Sequence, residues 1–249
     1  MTSTDKIALI TGGAAGIGAK SADELLKKGV KVIVLDISES NFIKILKKNK
    51  NFHFYECDIS NFTLVEKAIS QIHSKHGAID ILINSAGIMD GAPLVNILSK
   101  DSHLLGKNIW DKVMAVNLHG LFFVTSLVVN EMVRKRVKGV IVNLSSVTAN
   151  GNPGQAAYAA SKAAIESLTK SWSKELGRLG VRFVCIAPGF CNTQATKNVL
   201  DEKSLQSKIQ TIPLRRLGEV DEIVQAINFS IENNYLTGSI INIDGGVVI

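Results

Sequence analysis

Short apolar, β-branched runs alternate with longer stretches in which apolar residues recur every three or four positions, from Ile7 to Ile243. The runs Ile7–Ile10, Val30–Leu35, Phe52–Tyr55, Ile79–Ile83, Val140–Leu144, Val181–Ile186 and Ile240–Ile243 are nearly continuous in apolar character. Strands buried on both faces of a parallel sheet have that pattern, because neither face can afford polar side chains. Helical spacing fills the intervals Gly16–Lys28, Thr63–His76, Trp110–Arg134, Ala156–Leu176 and Val220–Asn233. Alternation of this kind predicts an α/β fold, a doubly wound, seven-stranded parallel sheet covered by helices on both faces. No repeat and no linker divides the pattern, so residues 1–249 read as a single domain.

Composition narrows the class. With 46% hydrophobic and 20% charged residues, the chain has the makings of a large core and no disordered tract. No uninterrupted apolar stretch approaches the ~20 residues of a membrane span, and the opening MTSTDKIALITGG lacks the marks of a secretory signal. Cys57, Cys185 and Cys191 form no CxxC pair, and the five histidines have no metal-ligand spacing. These features predict a cytoplasmic protein with no metal and no membrane partner. The net charge of +6 comes from scattered residues apart from the runs Arg134–Lys138 and Lys44–Lys50. Neither run is interleaved with aromatics, so no nucleic-acid partner is expected.

Two motifs bring in chemistry. The first strand runs into Thr11-Gly12-Gly13-Ala14-Ala15-Gly16-Ile17-Gly18, which opens a helix. Glycines there let a backbone approach a pyrophosphate, while the helix N-terminus offers N–H groups and a positive dipole end. The second strand ends at Asp36, 18 residues after Gly18, where a carboxylate would accept from a ribose 2′-hydroxyl and repel a 2′-phosphate. No Lys or Arg lies between Gly12 and Gly18 to offset that repulsion, so NAD is favoured over NADP. Further on, Tyr158 and Lys162 share one face of a helix, one turn apart. An adjacent cation favours the phenolate and lowers a tyrosine pKa from about 10, which suits proton exchange with an alcohol or ketone.

TGGAAGIG, Asp58 after the third strand, Asn84-Ser85-Ala86-Gly87, Asn117, the Tyr158/Lys162 pair, Pro188-Gly189 and the closing LTGSIINIDGG occur in order. Together they resemble the short-chain dehydrogenase/reductase family, across roughly Ile7 to Gly246. The resemblance implies a Rossmann fold and NAD(P)-dependent oxidoreduction. It implies a cofactor site built from Gly12, Ala15, Gly16, Ile17, Gly18, Asp36, Asp58, Ile59, Asn84, Ala86, Gly87, Tyr158, Lys162, Pro188, Gly189 and Thr193. Asp58 and Ile59 would sit at the adenine, Asn84 and Gly87 on the adenosine-ribose side, and Pro188, Gly189 and Thr193 at the nicotinamide. For Asp58 a loop or cap role is an equally open reading.

In the same resemblance Tyr158 is the catalytic acid/base and Lys162 holds the nicotinamide ribose. Asn117 holds a water for proton relay, unless it is a satisfied polar residue in a buried helix. The substrate-polarising serine is Ser145 by counting back from Tyr158, or Ser146 by matching the strand end NLSS. A one-residue slip along a strand reverses the side chain's face, so the strand match, Ser146, is preferred. Residues Ile88–Asn108 and Cys191–Leu214 would carry specificity, the second with an apolar stripe at Val199, Leu200, Leu205, Ile209 and Ile212 that reads either as the family's mobile lid or as a helix packed permanently on the body.

The expected reaction is hydride transfer between a secondary alcohol and a ketone on a small-molecule substrate, with a CoA- or acyl-carrier-linked 3-oxoacyl or 3-hydroxyacyl thioester as the leading reading. NPGQAAYAASKAA and the chain ending resemble that branch, and the basic run Arg134–Lys138 would suit an acidic carrier or CoA phosphates. Carrier-protein reductases more often use NADPH, so Asp36 tells against a purely biosynthetic enzyme. A sugar alcohol or steroid-like substrate, or a non-catalytic dinucleotide sensor, are the competing readings. A homotetramer is also implied, assembled partly through Trp110–Arg134 and Ala156–Leu176.

Overall fold

The computed structural model describes residues 6–95, 106–193 and 202–247. Seven parallel strands form one sheet: β1 (Ile7–Thr11), β2 (Lys31–Asp36), β3 (Phe52–Glu56), β4 (Ile81–Asn84), β5 (Val140–Leu144), β6 (Arg182–Pro188) and β7 (Ile240–Ile243). Their spatial order is β3-β2-β1-β4-β5-β6-β7. Each expected strand occurs, within two residues at either end. Successive strand side chains point to opposite faces, and both faces are covered. Ala8 and Ile10 of β1 pack with Ala22, Leu25, Ile223 and Ile227 on one side. Leu9 between them packs with Val65, Ile69, Val124 and Val128 on the other. This two-sided burial is why the strand sequences read as continuous apolar runs.

The helices are α1 (Gly16–Lys27), α2 (Asn41–Leu46), α3 (Phe62–His76), α4 (Lys107–Met114), α5 (Leu121–Arg134), α6 (Ala156–Leu176), α7 (Glu202–Thr211) and α8 (Val220–Glu232). The helix expected over Trp110–Arg134 begins earlier, at Lys107, and is interrupted by a π-helical turn at Ala115–Gly120. This helical run of 28 residues is long and apolar enough to cross a bilayer. Its buried side chains Leu121, Val124, Val128 and Met132 instead pack within the fold, as a core helix does. The parts of the two proposed specificity stretches at 96–105 and 194–201, including Val199 and Leu200, lie outside the described residues. Within the second stretch, Leu205 and Ile209 fall on α7, and Ile212 is buried against Val147 and Val247.

The strand order reverses between β1 and β4, so the connections leaving those two strands diverge to opposite faces. A crevice opens there at the carboxyl ends of the strands, where open α/β sheets bind ligands.

Candidate active site

The glycine-rich turn closes one side of that crevice. Gly12 has φ +67°, and a Cβ there would stand 2.6 Å from Ala86 Cα, so only glycine lets the ends of β1 and β4 approach. A Cβ on Gly18 would lie 2.3 Å from the Gly12 carbonyl oxygen, which fixes α1 close under the turn. The Ala86 N–H donates to Thr11 Oγ1 at 3.2 Å and ties the two strand ends. At Ala15, α1 starts with no side-chain cap. A Cβ on Gly16 would meet nothing within 4 Å. A helix start without a side-chain cap leaves N–H groups that a pyrophosphate could take up.

Asp36 closes the turn from the end of β2. Its Oδ2 accepts from the Ala14 N–H at 2.9 Å and its Oδ1 from the Ile37 N–H at 2.8 Å. Among the described residues no Lys or Arg forms an ion pair with it. Each oxygen keeps lone-pair capacity for a diol, and the negative charge is unmatched.

On the other side of the crevice, Tyr158 and Lys162 lie on α6, with the ammonium 5.5 Å from the phenol ring centroid. Lys162 is buried, and its Nζ donates to the Leu144 carbonyl at 2.7 Å. Burial lowers its pKa to about 8, because the charged form has lost its water. The Tyr158 phenol is pushed above its usual value of 10, chiefly by burial, while a hydrogen bond with Ser146 pulls it the other way. The expectation that Lys162 lowers the phenol pKa is therefore not met in the protein alone. The ammonium is turned to the end of β5, and desolvation outweighs it.

The two serines part company at the end of β5. Ser145 is buried and turns to α6, donating toward Glu166 Oε1 at 2.8 Å and the Lys162 carbonyl at 3.2 Å. Ser146 is the one beside Tyr158. Asn117 sits fully buried in the π-helical turn. Its Oδ1 accepts from the Ile88 N–H at 2.8 Å, and its Nδ2 donates to the Ile88 carbonyl at 3.0 Å and to Ser161 Oγ at 3.3 Å. The side chain thus pins the loop after β4, as a satisfied polar residue would. Gly87 lies in that loop: a Cβ on it would stand 3.4 Å from Asn117 Oδ1 and 3.6 Å from Lys162 Nζ. The space beside the lysine is left open only because residue 87 lacks a side chain. A crevice with an uncapped helix end, a diol-accepting carboxylate and an open, buried ammonium fits a dinucleotide.

Several expected site residues stand elsewhere. The Asn84 side chain points into the core, donating to Thr125 Oγ1 and Asn143 Oδ1, both at 2.9 Å, so its amide does not line the crevice. Ile59 is buried in the core and packs over Gly120, so only its backbone can border an adenine. Asp58 is exposed and uses Oδ1 to accept from Ser60 N and Oγ at 2.9 and 2.7 Å, a turn-forming role. Pro188 ends β6, and Gly189 donates to the Ile243 carbonyl at 2.9 Å, holding the β6 end against β7. A Cβ on Gly189 would lie 2.7 Å from Asp244 Cα. Thr193 is half-buried, its N–H bonded to the Cys191 carbonyl at 2.8 Å. The basic run Arg134–Lys138 precedes β5, whereas Ser146 follows it. Five residues of strand put them about 15 Å or more apart, so within one chain the run does not border the site.

Sequence reasoning passed over Asn143 and Thr148. Asn143 bridges Asn84 to Thr169 inside the sheet, and its signal was a polar residue within the buried strand VIVNL. Thr148 donates to Ser146 Oγ, and nothing in its spacing marked it.

Comparison with known proteins agrees with this geometry. Residues 6–204 match the family model described as short chain dehydrogenase. The chain is 40% identical over 251 residues to the 3-oxoacyl-[acyl-carrier-protein] reductase of Thermotoga maritima, covering 98% of each protein. It is 35% identical to the sorbitol-6-phosphate 2-dehydrogenase of Klebsiella pneumoniae, covering 97% of this chain and 96% of that protein. The crystal structure of a levodione reductase superposes with a TM-score of 0.88 at 30% identity, covering 98% of this chain and 97% of that one.

Proposed function

The chain belongs to the short-chain dehydrogenase family of nicotinamide-dependent CH–OH oxidoreductases, and from that premise we propose an NAD-preferring enzyme that interconverts a secondary alcohol and a ketone on a 3-oxoacyl or 3-hydroxyacyl thioester. The observation that carries the chemistry is the meeting of Ser146, Tyr158 and Lys162 at the end of β5, opposite the uncapped start of α1.

When bound, the dinucleotide supplies the hydride acceptor or donor at its nicotinamide C4. The residues do the rest. Backbone N–H groups at the start of α1 hold the pyrophosphate, and Asp36 accepts from the adenosine ribose. Lys162 donates to the nicotinamide ribose. Tyr158 removes the hydroxyl proton in oxidation and returns it in reduction, while Ser146 donates to the reacting oxygen. A bound ribose next to Lys162 would keep the ammonium charged and facing the site, which lowers the phenol pKa toward working pH.

The preference for NAD rests on the unmatched charge of Asp36. The thioester rests on the 40% identity to a carrier-protein reductase over the full length. A phosphorylated polyol is the second reading, favoured by the 35% identity to a sorbitol-6-phosphate dehydrogenase. We also place the enzyme in the cytoplasm, which its three free, buried cysteines suit, and assign it a homotetramer.

The test compares NADH and NADPH oxidation with acetoacetyl-CoA, and NAD⁺ reduction with sorbitol 6-phosphate. NADH-dependent turnover of acetoacetyl-CoA, with kcat/KM at least about tenfold above NADPH, is the expected result. NADPH preference would overturn the Asp36 argument. Turnover of the polyol phosphate alone would favour the second reading.

A further inference from the structure

We propose that Thr148 is a positioning residue for this reaction, one that fixes the Ser146 hydroxyl as a hydrogen-bond donor toward the reacting oxygen. The proposal rests on the roles given above to Tyr158 and Ser146.

After β5 the chain turns through a short 3-10 segment, Val147–Asn150, for which Ser146 is the N-cap with extended backbone. Ser146 Oγ accepts two hydrogen bonds, both from Thr148: from its N–H at 3.2 Å and from its Oγ1 at 3.0 Å. A serine hydroxyl has two acceptor lone pairs and one proton. With both lone pairs engaged by Thr148, the proton is what remains for Tyr158, the side chain that shares a hydrogen bond with Ser146. A serine lacking those partners would rotate among staggered positions and accept from the phenol or from water as readily as donate. Holding the proton forward before the reaction removes a reorganisation step as charge builds on the substrate oxygen.

The local structure holds Thr148 itself in place. Its side chain is 4% exposed, so water does not compete for the hydroxyl. Its β-branched χ1 is stiff. The turn is closed by the Ala149 N–H on the Ser146 carbonyl and the Gly151 N–H on the Thr148 carbonyl, both at 2.9 Å. The backbone N–H bond to Ser146 survives replacement of Thr148 by Val, Ala or Ser, so each of these variants leaves the turn.

The experiment compares wild type with Thr148→Val, Thr148→Ala, Thr148→Ser and Ser146→Ala. It measures kcat, KM and the pH–rate profile on whichever of acetoacetyl-CoA or sorbitol 6-phosphate is turned over, and NADH affinity by nicotinamide fluorescence. Thr148→Val keeps the shape and loses the donor, so kcat should fall about tenfold, the upper end of what one hydrogen bond between neutral groups contributes. KM and NADH affinity should stay within about twofold, and the limb of the pH profile assigned to Tyr158 should move to higher pH. Thr148→Ala, which fits the site without crowding, should repeat the kcat loss, and Thr148→Ser should recover most of it. Wild-type kcat and pH profile in Thr148→Val or Thr148→Ala, alongside a large loss in Ser146→Ala, would overturn the proposal. So would a loss that Thr148→Ser fails to restore, which would mark a packing role. Near-wild-type activity in Ser146→Ala would instead remove the Ser146 assignment on which the proposal stands.

Discussion

A methyl group at Gly87 would occupy the space in front of Lys162 Nζ without striking it, standing 3.6 Å away. Gly87→Ala is therefore expected to leave the melting temperature nearly unchanged and weaken NADH binding by about tenfold, read by fluorescence titration. Unaltered affinity would mean the ribose lies elsewhere. A second residue-scale effect concerns Arg136, which holds φ at +55° in the turn between α5 and β5. A side chain there costs roughly 1 kcal/mol relative to glycine, so Arg136→Gly should raise the urea midpoint slightly, and a lowered midpoint would contradict this. At this scale the sequence was readable in identity but not in direction. NLSS pointed to Ser146 because strand side chains alternate, and the structure puts Ser145 on the far side, against Glu166. Asn84 was read toward the cofactor because its motif lies there, yet Asn143 on the neighbouring strand β5 and Thr125 on α5, both buried, claim its amide. Such bonds depend on which residues the sheet register and the packing of α5 place against each other, and that is absent from local spacing. The phenol pKa differs from expectation for a similar reason: how far water is kept from Tyr158 and Lys162 is a property of the assembled wall, not of a four-residue interval.

Element positions were more legible than side-chain directions. Strands buried on both faces declare themselves by composition, and β5 and β7 coincide with their expected ranges. The six-residue helix α2 was not among the expected helices, since NFIKIL is too short to show a period and its start depends on Ser40 Oγ accepting from the Ile43 N–H. The π-helical turn at Ala115–Gly120 was hidden because one extra residue in a turn barely disturbs an apolar pattern. Between elements, Arg182 is a fastening the pattern could not reveal. From β6 its guanidinium donates at 2.9 Å to the Ser230, Ile231 and Leu236 carbonyls, at and just beyond the end of α8. A cation there also complements the negative end of the helix dipole. Arg182→Leu should destabilise the protein by about 3 kcal/mol in urea unfolding, since three carbonyls lose a charged donor. A cost under about 1 kcal/mol would show that water replaces it readily.

For the whole molecule, the topology does the functional work: reversing strand order between β1 and β4 brings residues from Gly12 to Lys162 around one crevice. Its acid stability has an identifiable weak point far from that crevice. At the edge of the sheet the Tyr55 hydroxyl bonds His76 Nε2 at 3.0 Å, and the His53 ring lies tilted against His76 with centroids 4.3 Å apart. Burial, then His53, Lys31 and Lys75, depress the His76 pKa from 6.5 to about 4. A depressed folded-state pKa means the unfolded chain takes up the proton first. The stability from neutral His76 is thus complete above pH 6.5 and is lost as pH falls toward 4. The melting temperature should drop through that window, and His76→Gln should drop less. Equal slopes would assign the loss to carboxylates. On the surface, Trp110 and Phe122, on α4 and α5, are 40% and 48% exposed, and Phe122 sits beside Trp172 of α6. Burial of such aromatics between copies favours association. Light scattering should therefore report four copies of the 26.8 kDa chain, and a monomer at low micromolar concentration would contradict the proposed tetramer.

The central claim, that Tyr158 exchanges the proton in a dinucleotide-dependent reaction, is tested most directly by comparing wild type with Tyr158→Phe. Turnover and NADH binding are measured on the same preparations. Phenylalanine keeps the ring that lies beside Lys162 and removes only the hydroxyl. The account predicts NADH affinity within about threefold of wild type and turnover reduced by about a thousandfold or more. Turnover retained in Tyr158→Phe, with NADH still bound, would contradict it.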